Sequence, residues 1–243
     1  MTSNHWRHYV KRAARQFGFD VIRFKPDRSE AANVAAVLRH FGIRLVLDVG
    51  ANTGQYAAML RETGYAGRIA SFEPLTSAHA RLTANAQGDA RWTVHPRAAI
   101  GDHDGEIVIN VAGNNVSSSV LPMLDQHADA APESRYIGKE TVPLQSLDTA
   151  ASAYLGDEPA IHLKIDTQGF EAAVLRGAVQ TLGHCKTVQL ELSLTPLYEG
   201  QELWQHFLRD FEARGFTLWT VLPGFVEAKT GRTLQLDAIF ARP

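Results

Sequence analysis

Leu45-Val46-Leu47-Asp48-Val49-Gly50-Ala51-Asn52-Thr53-Gly54 is the stretch on which the reading of this chain turns. Its first five positions form a short apolar run broken only by Asp48, of the kind found in strands buried on both faces. A Gly-rich turn follows and leads into a helical pattern from Gln55. Without a Cβ, such a turn lets a ligand approach the backbone closely. A lone Gly-x-x-x-Gly is a weak signal, and the next strand strengthens it. Residues 68–72 are a second apolar run, and it leads into Glu73-Pro74, so a carboxylate stands 23 residues after Gly50. There it can accept hydrogen bonds from both hydroxyls of a ribose, and the two strand ends together describe a nucleoside site.

Outward from this point, helical and strand patterns alternate. Ser29 reads as an N-cap for a helix ending near Gly42. Helices are expected over 55–62 and 76–86 and a strand over 91–94. The rhythm then breaks at an alternating run, 106–111, which reads as an antiparallel strand, and at a polar stretch, 113–139, of weak periodicity. Loops of that length are usually functional or mobile. Alternation resumes with helix 147–154, strand 161–165, helix 170–182, strand 187–192 and helix 201–213. Strands 216–222 and 234–241 close the chain as a hairpin around Lys229-Thr230-Gly231. This order predicts a mostly parallel α/β sheet with helices on both faces and an antiparallel strand near its end. Ligands in such sheets sit at the carboxyl ends of the strands, where strand order reverses.

The nucleoside could belong to NAD or to S-adenosylmethionine. A dinucleotide fingerprint, Gly-x-Gly-x-x-Gly, would place glycines at the positions of Asn52 and Gln55, so a pyrophosphate would meet side chains where it needs bare backbone. S-adenosylmethionine carries no phosphate, and its sulfonium gains from acidic and carbonyl groups such as Asp48. Three functions stay in view: an S-adenosylmethionine-dependent methyltransferase, an NAD-dependent oxidoreductase of the Rossmann class, and a binding module that holds S-adenosylmethionine without turnover. The Asn/Asp-Pro-Pro-Tyr/Phe motif of nucleic-acid amino methylation is absent after the fourth strand, which reads Asp166-Thr167-Gln168-Gly169.

Four stretches carry a resemblance in order: Val46 through Tyr56, Ser71-Phe72-Glu73-Pro74, Ser118-Ser119, and Leu163-Lys164-Ile165-Asp166-Thr167-Gln168-Gly169-Phe170-Glu171. Together they resemble the FkbM-type methyltransferases from about residue 43 onward. The resemblance implies a class I methyltransferase (Rossmann-like) fold over 43–243, with seven strands and an antiparallel last strand. It also implies S-adenosylmethionine as donor and O-methylation of a hydroxyl on a sugar, in a glycolipid, oligosaccharide or glycosylated metabolite. By position it places Asp48, Gly50, Asn52, Thr53 and Gly54 around the methionine part, Glu73 and Pro74 at the ribose, and Ala98 and Ala99 by the adenine.

Mechanism is sought at the fourth and fifth strand ends, Asp166 and Glu191. A sugar hydroxyl is a poor acid, so either a base takes its proton or a metal acidifies it, and two carboxylates can serve either way. If Mg²⁺ is present, Asp166 and Glu191 are its expected ligands. Related sugar O-methyltransferases carry a histidine three residues after the strand-4 aspartate, where this chain has Gly169. His95, at the third strand tip, and His127, in the polar stretch, are the alternative bases. Asn115, Ser118, Ser119, Gln168, Glu171 and Tyr198 are the expected acceptor contacts, and Glu171 reads equally as a helix cap.

With 24 Lys/Arg, 26 Asp/Glu, one cysteine and 45% hydrophobic residues in 243, the composition is that of a globular protein with no disulfide framework. A reducing, cytoplasmic setting is expected, with no signal peptide and no run near the ~18 to 20 apolar residues of a spanning helix. Charge is uneven. Residues 1–28 hold seven Lys/Arg against Asp20 and Asp27, +5 in all, which leaves −7 on the rest. An acidic body argues against a nucleic-acid partner. Within 1–42, Trp6, Val10, Ala13 and Phe17 share one helical face among cations. That basic amphipathic segment reads either as a lid packed on the domain or as peripheral contact, through residues 1–25, with an anionic inner membrane face or a lipid-linked glycan.

Overall fold

The computed structural model describes residues 5–19, 29–114, 116–156 and 160–242. Asn115, one of the expected acceptor contacts, lies outside them.

Helix α1 spans His5–Gln16, and α2, Glu30–His40, starts at Ser29, whose side chain accepts from the Ala32 amide. Val34, Val37 and Leu38 of α2 are buried at helical spacing, which seats this helix on the sheet. Gly42, at φ +61°, releases the chain into β1, Leu45–Val49, all five residues of which are buried. Next come α3 (Gln55–Glu62), β2 (Arg68–Phe72), α4 (Thr76–Ala86), β3 (Trp92–Val94), β4 (Ala99–Gly101) and β5 (Gly105–Ala112). The chain continues through α5 (Asp125–Ala130), a 3₁₀ turn (Pro132–Ser134), β6 (Tyr136–Ser146), α6 (Leu147–Leu155), β7 (Ile161–Ile165), α7 (Glu171–Arg176) and α8 (Val179–His184). It ends with β8 (Cys185–Ser193), α9 (Trp204–Ala213), β9 (Thr217–Pro223) and β10 (Gln235–Ala241).

Seven strands form one sheet in the order β3-β2-β1-β7-β8-β10-β9, in which β10 runs antiparallel to both its neighbours. One face carries Leu45, Leu47, Ile161 and Leu163 against α6, α7, α8 and α9. The other carries Val46, Ile69 and Ile239 against α2, α3 and α4. Strand order reverses between β1 and β7, and there the carboxyl ends of both strands open the switch-point crevice.

Two expectations change. The alternating strand 106–111 does pair antiparallel, but in a separate three-stranded sheet, β4-β6-β5. Its partner β6 lies partly in the stretch that reads as a polar loop. Only Val142 and Leu144 of its 11 residues are buried, too few to leave a period-two trace. The single helix expected over 170–182 is two helices, broken at Gly177. Gly177 passes so close to Gly101 that a Cβ would strike the Gly101 carbonyl, and its own carbonyl accepts from the Asp148 amide.

Candidate active site

A cavity of about 620 Å³ opens at the switch point, with Gly50, Asn52, Glu73, Pro74, Ala98, Ala99, Ser118, Ser119, Asp166 and Gln168 in its wall. Thus most of the strand-end residues singled out in the sequence meet around one space.

Backbone geometry builds the first end. The Gly50 and Ala51 amides both donate to the Phe72 carbonyl at 3.0 Å, locking the β1 and β2 tips together. Gly50 has φ +78°, and a Cβ there would strike the Asp166 carbonyl, so only glycine closes this turn. Glu73 is 5% exposed; its Oε2 accepts from the Asn52 amide at 2.8 Å and its Oε1 from the Leu75 amide at 2.9 Å. Burial lifts its pKa from 4.5 to about 7 despite those two bonds. Each oxygen keeps a second lone pair for a ligand hydroxyl. Phe72, Leu75, Ile100, Ile109 and Phe170 add apolar surface to the same cavity wall. Thr53 and Gly54 anchor α3 instead. The Thr53 carbonyl accepts from Asn85 Nδ2, and Gly54 packs where a Cβ would meet Trp92 and Leu82.

Charged side chains build the second end. In the β1–β7 register Asp48 stands opposite Lys164. Lys164 Nζ lies 3.7 Å from Asp48 Oδ1, 3.2 Å from Asp166 Oδ2 and 5.4 Å above the Tyr56 ring. Burial pulls this ammonium's pKa down, but Asp166, Asp48 and Asp237 outweigh it, so the net shift is upward. Asp48 is fully buried and does not line the cavity; Lys164 does. Gln168 sits at φ +54°, and its Nε2 donates to Asp166 Oδ1 and Glu191 Oε2, both at 2.8 Å. Its Oε1 lies 2.9 Å from the Tyr198 hydroxyl, and its carbonyl accepts from Ser119 Oγ at 2.6 Å. A second chain runs beneath. Tyr56 donates to Gln189 Oε1 at 2.9 Å, Gln189 Nε2 donates to Asp237 Oδ1 at 3.0 Å, and His162 bonds both Tyr56 and Thr187. Burial lowers His162 to about 3, which keeps its ring neutral, and raises Asp237 to about 6.

Four further sequence-derived assignments move. His95 is not in the cavity wall: its ring nitrogens meet Tyr154 Oη and Gln145 Oε1, each at 2.9 Å. His127 is buried against Tyr198 and Phe225, outside the wall, and burial lowers its pKa. Tyr198, 1% exposed, offers no ring face to an acceptor; it supports Gln168 from below. Glu171 is a staple, its Oε1 accepting from the Thr167 and Gly169 amides and Thr167 Oγ1.

The expected Mg²⁺ site does not fit either. The Gln168 amide already donates to both carboxylates, and Gln235 Nε2 donates to Glu191 Oε2 at 2.7 Å. Burial pushes Glu191 well above the ordinary carboxylate range, and it is absent from the wall. Among the described residues no group of three or more His, Cys, Asp or Glu side chains is placed to hold a metal.

Tyr56, Lys164, Gln189 and Asp237 are wall residues to which the sequence motifs assign no role. Lys164 alone leaves a signal: a lysine in a buried strand, two residues from His162 and from Asp166 and therefore on the same face as both.

A seven-stranded sheet of this order, with a cavity at the β1–β7 switch, is the architecture of class I methyltransferases. Residues 48–218 match the Methyltransferase FkbM domain, and the chain belongs to that family. It is therefore a methyltransferase of the S-adenosylmethionine-dependent class, and the oxidoreductase reading falls away. No curated protein matches the chain by sequence. Solved structures resembling it include the methyltransferase domain of bacterial CtHen1, at 13% identity and TM-score 0.48, covering 89% of this chain and 100% of that one. Another is an rRNA methylase from Streptococcus thermophilus, at 11% and 0.47, covering 91% and 99%. A third is the METTL16 methyltransferase domain, at 9% and 0.49, covering 98% and 79%. No helix among the described residues is long and apolar enough to cross a membrane.

Proposed function

We propose that the chain methylates a hydroxyl of a sugar carried by a glycolipid, oligosaccharide or glycosylated metabolite, with Asp166 taking the hydroxyl proton. S-adenosylmethionine, when bound, supplies a methyl group made electrophilic by its sulfonium. Glu73 and the Asn52 turn hold the nucleoside, and the apolar wall excludes water from it.

The observation that carries the reading is Asp166. It reaches the cavity from the strand at the switch point, and Lys164 and Gln168 each grip one of its oxygens. Both partners fix its direction, so it can meet an acceptor hydroxyl in one geometry. As the acceptor oxygen takes the methyl, its proton passes to Asp166. Ser118 and Ser119 line the wall and are held there: Ser118 Oγ accepts from the Ala112 amide, and Ser119 Oγ donates to the Gln168 carbonyl and accepts from the Leu121 amide.

Charge narrows the acceptor. Among the described residues the wall holds the carboxyl groups of Glu30, Glu73, Asp166 and Asp237 against the one ammonium of Lys164. Such a field favours an uncharged sugar over one bearing a diphosphate. The test incubates the protein with methyl-labelled donor and a panel of glycolipids, oligosaccharides and nucleotide sugars, and locates the label by mass spectrometry. Label on a sugar oxygen of an uncharged acceptor is expected. Label on nitrogen, or on nucleotide sugars in preference to the rest, would overturn the assignment.

A further inference from the structure

Helices α1 and α9 are both strongly amphipathic, yet they treat their apolar faces in opposite ways. In α9, Phe207 and Phe211 are buried, at 1% and 0% exposure. In α1, at 100° per residue, Tyr9, Val10, Ala13, Ala14 and the following Phe17 share an arc of about 140°, while Lys11, Arg12 and Arg15 lie on the opposite side. None of that apolar arc is buried: Tyr9 is 70% exposed, Phe17 78%, and Phe19 just beyond it 71%. A helix that belonged on the body would cover its aromatic stripe as α9 does.

We infer that α1 lies on the surface of a bilayer with anionic headgroups, its aromatic arc in the headgroup–acyl boundary and its cations at the phosphates. Charge complementarity selects this occupant. The first 28 residues carry +5 on a chain whose remainder carries −7, so an anionic plane attracts this end and repels the rest. Place in the chain gives the contact a use. Ser29, Glu30 and Ala31, ten residues after Phe19 at the nearest, stand in the cavity wall, and ten residues span at most about 35 Å. A bilayer under α1 would thus hold a lipid-linked acceptor within reach of Asp166. This deepens the proposed reading of a glycolipid acceptor, and vesicle binding is read without turnover, so either idea can fail alone.

The test is flotation of the full chain with vesicles of phosphatidylcholine alone or mixed with phosphatidylglycerol. Binding to the mixed vesicles should exceed that to phosphatidylcholine by on the order of tenfold and fall at high salt. The double variant Tyr9→Ser/Phe17→Ser should lose it while keeping donor affinity. Equal binding to both vesicle types, no binding to either, or full retention by the double variant would overturn the inference. So would sedimentation showing that α1 instead joins two copies of this chain.

Discussion

The two ends of the cavity are built differently. At the end proposed for the nucleoside the backbone does the positioning: Gly50 fits where no other residue can, and Glu73 is held by two amides. At the transfer end side chains hold one another, with Lys164, Asp166, Gln168 and Glu191 in one network and Tyr56, Gln189 and Asp237 in a second. In the proposed function the first end binds the donor and the second moves a proton. Substitutions at the first end should therefore cost affinity, and at the second end rate.

The largest effect is expected at Asp166. Asp166→Asn should lower kcat by about 10² to 10⁴-fold, while the donor Kd from calorimetry changes by no more than about threefold. A proportional loss of donor affinity would erase the distinction between the ends.

Glu73→Ala should weaken the donor by about 10 to 100-fold, roughly 1.4 to 3 kcal/mol for its lost hydroxyl bonds, and leave kcat at saturating donor nearly intact. The pH dependence sharpens the same point. Only the ionised carboxylate accepts two hydroxyl bonds, and Glu73 titrates at about 7 in the free protein. Donor affinity should thus be flat above that value and fall below it, approaching about tenfold per pH unit. Stability of the free protein runs the other way. A folded value raised from 4.5 to about 7 means this group's contribution is full below 4.5 and lost as pH rises through about 7. Thermal melts should show the donor stabilising the protein more at pH 8 than at pH 6.

The smallest effect is expected outside both ends. His95→Gln should keep turnover within about twofold and cost about 1 to 2 kcal/mol of stability through its bonds to Tyr154 and Gln145. A large loss of rate would return His95 to the chemistry.

The gathering of Gly50, Asn52, Glu73, Ala98 and Ala99 around one cavity was legible in the sequence because its determinants are local. A glycine turn, a carboxylate after the next strand and small residues past the third each announce themselves within a few positions. The transfer end was only half legible. Asp166 stands at a recognisable strand tip, but its neighbours arrive by long-range register, as when the closing hairpin sets Asp237 beside Glu191. Likewise His95 stands at a strand tip, as a base would, yet its nitrogens are taken by groups 50 and 59 residues away. The polar stretch hid β6 because a strand with two buried residues looks like loop.

The most direct test of the account is calorimetry of S-adenosylmethionine with the unaltered chain, Glu73→Ala and Asp166→Asn at about pH 8, where Glu73 is charged. The account predicts that Glu73→Ala loses at least about tenfold in affinity and that Asp166→Asn stays within about threefold of the unaltered chain. Unchanged affinity in Glu73→Ala, or the larger loss in Asp166→Asn, would contradict it.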